Sequence, residues 1–250
     1  MKGGRIAEAV ETYRRAETAD GGMFGANELY WALMMLGRHG EARAALRRAL
    51  LSERAGALEH RRLMVTALYS SDIDAAEAWE IRRTFGAAME VRVAAPLANR
   101  KFGRTPSARL RIGYLSSDLR AHPVGLNMAP ILEHHDRRAF EIVVYADTAK
   151  SDAISRKLQN HVDIWRRVDG SSDEEIARQI HTDGIQVLVI LAGSLDFNRA
   201  LVAAWRPAPV QVSFHDPATS GFTAMDYLIT DRVLAPRDTP ERSEEHTSEL

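Results

Sequence analysis

The hydrophobic period of this chain changes once, between residues 97 and 109, and that change constrains the fold more than any other feature of the sequence. Before it, Ala, Leu, Glu and Arg dominate, proline is absent until Pro96, and apolar residues recur at helical spacing. After it, short β-rich runs alternate with helical stretches. The segment between, Leu97 to Arg109, holds Gly103, Pro106, Ser107 and several basic residues, and reads as a linker. The expected organisation is helical repeats over residues 1–96, a linker over 97–109, an α/β lobe over 110–241 and a tail over 242–250.

The first region repeats. Gly4, Arg5, Glu8 and Ala9, followed by Tyr13 to Ala16, recur at a 33-residue offset as Gly37, Arg38, Glu41 and Ala42, followed by Leu46 to Ala49. A looser third copy runs from Asp72 through Ala76 and Trp79 to Phe85. That period belongs to two-helix repeats, whose small Ala residues let neighbouring helices approach. The pattern resembles tetratricopeptide repeats, in which such a segment opens the second helix of each pair. An ordinary helical bundle with a chance duplication is the other reading. If Gly4 to Ala16 is a second helix, its partner is missing, and the chain is expected to start inside a longer array.

The second region reads as strands Leu110–Leu115, Phe140–Tyr145, Ile164–Val168, Gln186–Leu191, Val210–Phe214 and Tyr227–Thr230. Helical patterns separate them: Val124 to His134, Ala153 to Asn160, Asp173 to Thr182 with Ser172 as N-cap, and Leu195 or Asn198 to Trp205. Alternation of this kind implies a parallel sheet covered on both faces. Ligands of such sheets bind beyond the carboxyl ends of the strands. The segments to inspect are therefore 116–123, 147–151, 193–197 and 215–221.

Ser116 to Pro123 gathers hydroxyls, the Asp118 carboxylate, a guanidinium and the His122 imidazole ahead of a helix that Pro123 suits. His122 either acts on a phosphate, a sugar or a proton, or merely caps the helix. His215 and Asp216 precede Pro217, and chain neighbours rarely face one another, so a turn is the simpler reading there. Gly193 and Ser194 follow the most apolar strand, where glycine lets a ligand approach the backbone. No dinucleotide or Walker glycine loop is present, and neither Ser194 nor Ser220 sits in a nucleophile elbow. His134, His135 and Asp136 read as a solvated helix end and not a metal site, since no second ligand pair has zinc spacing.

Composition removes some classes. A formal net charge of −1 gives no bulk electrostatic case for nucleic acid. The absence of cysteine excludes disulfides and thiolate metal sites and fits a cytoplasmic location. No apolar run is long enough for a membrane span or a signal peptide.

Taken in order, the motifs resemble a known family. Leu110 to Pro123 is similar to its first strand and His-Pro loop, and Arg206 to Ser213 to its Arg-Pro-Ala-Pro-x-Gln segment. Thr219, Ser220 and Gly221, followed by Met225, Asp226, Tyr227 and Asp231, resemble its Gly-Thr-Ser-Gly…Met-Asp-Tyr…Thr-Asp block. The family is the O-GlcNAc-transferase/SPINDLY group of glycosyltransferases, and the likeness covers nearly the whole chain. It implies an α + α/β fold: tetratricopeptide-like repeats, then the N-terminal Rossmann-like half of a GT-B catalytic unit. It further implies sugar transfer from a nucleotide sugar, UDP-GlcNAc or GDP-fucose, to protein Ser or Thr, with inversion and without a metal or other cofactor. A protein or peptide acceptor would be held by the repeats. The resemblance carries the family's loop histidine onto His122 as the catalytic candidate, with Asp118, Gly193, Ser194, His215, Asp216, Thr219 and Ser220 as substrate-binding candidates. Two departures bear on donor and acceptor: Gly193 is followed by Ser194 and Leu195, and His215 to Thr219 replaces a Gly-Tyr-Pro-Gly-Thr stretch. They suggest a divergent bacterial branch. Residues 242–250 look like a translated sequencing adapter. The chain is thus expected to be a fragment, inactive alone and without the second lobe. Two other readings are a repeat-mediated interaction module with a degenerate, non-catalytic α/β domain, and a sugar-nucleotide binder that does not transfer.

Overall fold

The computed structural model describes residues 5–19, 25–52, 56–93, 95–97, 109–193, 198–216 and 221–233. The chain divides into two compact units, Met1–Ala88 and Met89–Leu250. Most of the expected linker and the whole of the tail over 242–250 lie outside the described residues.

The first unit is helical: α1 (Ile6–Ala19), α2 (Ala26–Met35), α3 (His39–Ala49), α4 (Ala57–Leu68) and most of α5 (Ala75–Glu90). Gly37 ends α2 as the sequence implies. Its φ is 69°, its N–H donates to the Met34 carbonyl, and the Arg38 N–H reaches back to that of Leu33. This pairing caps the helix with a left-handed residue, which glycine adopts without a Cβ penalty. Ala42, Ala45 and Ala49 on α3 are fully buried, so α3 packs closely against its neighbours. The repeat also appears in the ion pairs. Arg14 of α1 pairs with Glu41 of α3, and Arg47, 33 residues after Arg14, pairs with Glu77 of α5 at 2.6 Å. Arg48 runs the other way, holding Glu17 with two contacts of 3.0 Å.

The second unit is a six-stranded, all-parallel sheet. Its strands are β1 (Leu110–Ser116), β2 (Phe140–Ala146), β3 (Ile164–Arg167), β4 (Val187–Leu191), β5 (Val210–Phe214) and β6 (Tyr227–Ile229), in the order β3-β2-β1-β4-β5-β6. Helices α6 (Pro123–Glu133), α7 (Ala153–Gln159) and α8 (Asp173–Thr182) connect them. Near-continuous apolar strands such as Val187–Leu191 suit a sheet buried on both faces. The core gathers Leu119, Met128, Leu132, Ile142, Val144, Leu158 and Leu191, each 0% exposed. Burial of each such side chain contributes about 1.5–3 kcal/mol.

Local chemistry sets the helix starts. Ser172 caps α8 with Glu175 reciprocating, as expected from the sequence, and Asp152 caps α7 through Ser155. One element differs from expectation. The helix expected up to Trp205 is a 3-10 helix confined to Ala200–Trp205, with residues 194–197 outside the described set. Its end at Trp205 is as expected and is set by Arg206, left-handed at φ 51°, and by Pro207, which disfavours helical geometry in the residue before it; the difference lies in its later start and its tighter winding.

Candidate functional site

Strand order brings the segments after β1, β4 and β5 side by side at the carboxyl end of the sheet. The segment after β1 is fixed from inside. Asn198 donates through Nδ2 to Asp118 Oδ2 at 2.7 Å, while its Oδ1 accepts from Ser116 Oγ at 2.9 Å and from the Ser117 N–H at 3.1 Å. Arg120 reaches Asp118 Oδ1 at 3.3 Å. Asp118, a sequence candidate for substrate binding, is 2% exposed, with both oxygens engaged inside the loop. From outside, the Ala121 N–H donates to Asp152 Oδ2 at 2.7 Å. That bond and the one from the Ser155 N–H hold the Asp152 carboxyl below the usual carboxylate range. Gly125 on α6 makes the fold of this loop possible: a Cβ there would stand 2.2 Å from the Arg120 carbonyl oxygen.

His122 is the N-cap of α6. Its Nδ1 accepts from the Val124 N–H at 3.3 Å and lies 4.0 Å from Asp118 Oδ2. An imidazole that accepts at Nδ1 carries its proton on Nε2 when neutral. The capping and chemical readings of His122 are therefore compatible, since the cap occupies Nδ1 and leaves Nε2 as the nitrogen that can donate. Ser117 is 6% exposed, and its Oγ has no partner among the described residues.

Beyond β4 and β5 the backbone is strained. Ala192 (φ 60°), Gly193 (φ 52°) and His215 (φ 57°) are all left-handed. Such conformations cost of order 1 kcal/mol or more in non-glycine residues and gather at functional sites. Asp216 crosses the end of β4: a Cβ on Gly193 would lie 1.8 Å from its Oδ2. The His215 ring stacks on Phe214 at 3.9 Å between centroids, and its Nδ1 is buried without a partner among the described residues. Burial pushes its pKa down, so it is neutral at neutral pH. Thus His122, Asp118, Gly193, His215 and Asp216 all lie at the carboxyl end of the sheet. Ser194, Thr219 and Ser220 lie outside the described residues. No group of three or more His, Cys, Asp or Glu suited to a metal ion occurs among the described residues.

Residues 89–249 match the sequence model of a family described as "Glycosyl transferase family 41". The chain belongs to this family. Among curated proteins, it is 34% identical over 152 residues to a probable UDP-N-acetylglucosamine–peptide N-acetylglucosaminyltransferase SPINDLY of Arabidopsis thaliana, covering 59% of this chain and 17% of that one. It is 39% identical over 143 residues to the UDP-N-acetylglucosamine–peptide N-acetylglucosaminyltransferase of Caenorhabditis elegans, covering 54% and 12%. Among solved structures, the K341M mutant of Thermobaculum terrenum O-GlcNAc transferase superposes with a TM-score of 0.77 at 33% identity, covering 91% of this chain and 44% of that one. The chain therefore spans under a fifth of the length of these curated relatives.

In this family 41 lobe, two of the recognition motifs prove to hold one another. Arg206 donates through Nη1 to both oxygens of Asp226 at 2.8 Å and to the Ala224 carbonyl at 3.0 Å. Asp226 also accepts from the Gln211 N–H at 2.8 Å, and buried Gln211 donates through Nε2 to the carbonyls of Ala203 and Ala224. The Arg-Pro-Ala-Pro-x-Gln and Met-Asp-Tyr segments are thus one latch, which fixes β5 below the His215–Asp216 turn.

Sequence reasoning missed three positioning residues. Asn198 gave no signal because its partners lie 80 or more residues away. Gly125 looked like any glycine in a helical pattern. Arg199 donates to Asp147 at 2.7 Å, Asp173 at 3.1 Å and the Ser171 carbonyl at 3.3 Å, which secures the ends of β2 and β3. Burial opposes its charge, but the two carboxylates outweigh burial and raise its pKa. One expectation is corrected. His135 is not a solvated helix end: its Nε2 sits 2.8 Å from the buried Tyr114 hydroxyl and its ring packs against Phe140. The apolar first strand that follows the linker draws it in.

Proposed function

We propose that the protein transfers N-acetylglucosamine from UDP-N-acetylglucosamine to Ser or Thr hydroxyls of other proteins. The observation that carries this reading is the family 41 match over residues 89–249, joined to relatives whose names specify that donor and a peptide acceptor. The same names favour UDP-N-acetylglucosamine over GDP-fucose.

In the proposed reaction the acceptor oxygen attacks the anomeric carbon opposite the diphosphate. The new C–O bond forms as the sugar–phosphate bond breaks, the hydroxyl proton is released and UDP departs. Negative charge grows on the leaving diphosphate, and donors aimed at it lower the barrier. His122, with its proton on Nε2, is suited to donate to such an oxygen and not to act as the general base. Gly193, His215 and Asp216, with Ser194, Thr219 and Ser220, are the proposed wall for the donor, and Asp118 positions the His122 loop. The proposal invokes no metal. The helical repeats, read over residues 1–96, would hold the protein acceptor, and the lobe read over 110–241 would hold part of the donor site. Lack of cysteine supports a cytoplasmic location. No described helix is long and apolar enough to cross a membrane.

The test is transfer by the protein expressed from its complete reading frame. With UDP-N-acetylglucosamine and a Ser/Thr peptide library, peptides should gain one N-acetylhexosamine by mass spectrometry, and GDP-fucose should give none. The 250-residue chain alone should transfer nothing. Failure of the complete protein to modify any peptide with any sugar nucleotide would remove the proposal.

A further inference from the structure

The geometry points to Glu90 as a positioning residue for the sugar-nucleotide donor, which it serves by fixing the turn that anchors β5. This rests on the proposed glycosyl transfer and names a residue outside the motifs that suggested it. Glu90 is the last residue of α5, and no basic residue stands in that helix's last turn. A negative charge there opposes the helix dipole, so the position is unfavourable on local grounds. Its carboxylate is instead engaged far along the chain. Oε2 accepts from the Thr223 hydroxyl at 2.8 Å, and Oε1 accepts from the Ala224 N–H at 2.9 Å. Ala224 is buried and is held from its other side as well: its carbonyl accepts from Arg206 Nη1 at 3.0 Å and from Gln211 Nε2 at 2.7 Å. Further along the segment that leaves α5, the Leu97 N–H donates to the Trp205 carbonyl at 2.7 Å, beside Arg206. The segment therefore grips the latch on both sides, at Ala224 and at Trp205.

The latch leads to the site through one side chain. Gln211 lies in β5 and is fully buried, and β5 ends at Phe214, immediately before His215. A buried amide that loses its acceptor is costly, so β5 follows the Ala224 peptide wherever that peptide is held. Glu90 thereby sets the height of the β5 tip, which bears the proposed donor wall. Small displacements there matter, because a misplacement of about 1 Å far from the reacting atoms is enough to impair an active site. The His122 loop is held by a different set of bonds, to Asn198 and Asp152. Loss of the Glu90 grip should therefore weaken the donor's hold and spare the chemical step.

The test measures kcat and the separate KM values for UDP-N-acetylglucosamine and for the peptide, using the protein expressed from its complete reading frame. Glu90→Ala should raise the donor KM about 10-fold, the size expected for a hydrogen bond to a charged group, with kcat and the peptide KM within about 2-fold of wild type. Preserved kcat also shows that the variant is folded. Glu90→Gln should restore the donor KM, because its amide oxygen can accept from the Ala224 N–H and its NH2 can donate to the Thr223 hydroxyl. Thr223→Val removes only one of the two bonds, at an exposed residue, and should raise the donor KM by about 3-fold even if Glu90→Ala fails to fold. A lowered urea midpoint with donor KM unchanged in both variants would make Glu90 a structural residue only and overturn the assignment. So would an equal rise in both KM values, a loss confined to kcat, or a Gln variant as impaired as the Ala variant. Wild-type protein that transfers no sugar would instead refute the proposed function itself, and this inference with it.

Discussion

At the scale of single residues, space and protonation decide more than residue type. Alanine usually stabilises a helix relative to glycine by about 1 kcal/mol. At residue 125 the sign should reverse, because the new Cβ would sit 2.2 Å from the Arg120 carbonyl oxygen, a backbone atom that cannot swing away. Gly125→Ala should destabilise by about 1–3 kcal/mol, read as a lower urea midpoint. His122 separates capping from chemistry. His122→Ala should lose about 1 kcal/mol of stability with its cap, and His122→Asn should restore that stability. Neither should restore transfer by the complete protein. An Asn variant with wild-type turnover would reduce His122 to a cap. Burial lowers the pKa values of His215 and His135 in the folded protein. The unfolded chain then takes up protons first as pH falls below about 6.5, so the stability contribution is full above that pH and is lost on acidification through the folded pKa values. The thermal midpoint should fall between pH 7.5 and 5.5. His215→Asn, which tolerates left-handed backbone, should flatten that slope.

At the scale of elements, the latch matters more than the ladder. The ion pairs between α1, α3 and α5 follow the sequence repeat, but Arg14 and Arg47 are 38% and 51% exposed in their side chains. Exposed pairs contribute at most about 1 kcal/mol, so Arg47→Ala should change the unfolding midpoint little. Asp226 is different. It is 25% exposed and accepts from Arg206 and from the Gln211 backbone. Asp226→Ala takes the carboxylate from both donors, leaving Arg206 only the Ala224 carbonyl, and should cost about 2–4 kcal/mol by denaturant titration. These two motifs were readable as family signatures, but their physical role was not. A sequence shows that Arg206, Gln211 and Asp226 are present and does not show that they meet. The strands were readable for a simpler reason: Val187–Leu191 is an apolar run of strand length, and Phe140–Ala146 is one apart from Glu141. The segment before Arg206 misled because a helical composition cannot show how tightly a six-residue turn winds ahead of Pro207.

At the scale of the whole molecule, family and fold were readable because several motifs occur in a fixed order along the chain. The site was readable only in outline. Strand alternation placed the loops holding His122, Gly193 and Asp216 at the carboxyl end of the sheet, where the structure has them. It did not reveal that Asp118 is buried, that Asn198 organises the loop from 80 residues away, or that Asp216 lies across Gly193. Those facts depend on strand order, which adjacency in sequence does not encode. The central claim is that a family 41 donor is received at the carboxyl ends of β1, β4 and β5. A crystal structure of the complete protein with UDP-N-acetylglucosamine bound tests it most directly. The claim predicts the sugar ring within contact distance of His122, Gly193 and Asp216. A donor bound at the opposite end of the sheet, near Asp163 and Asp183, would contradict it.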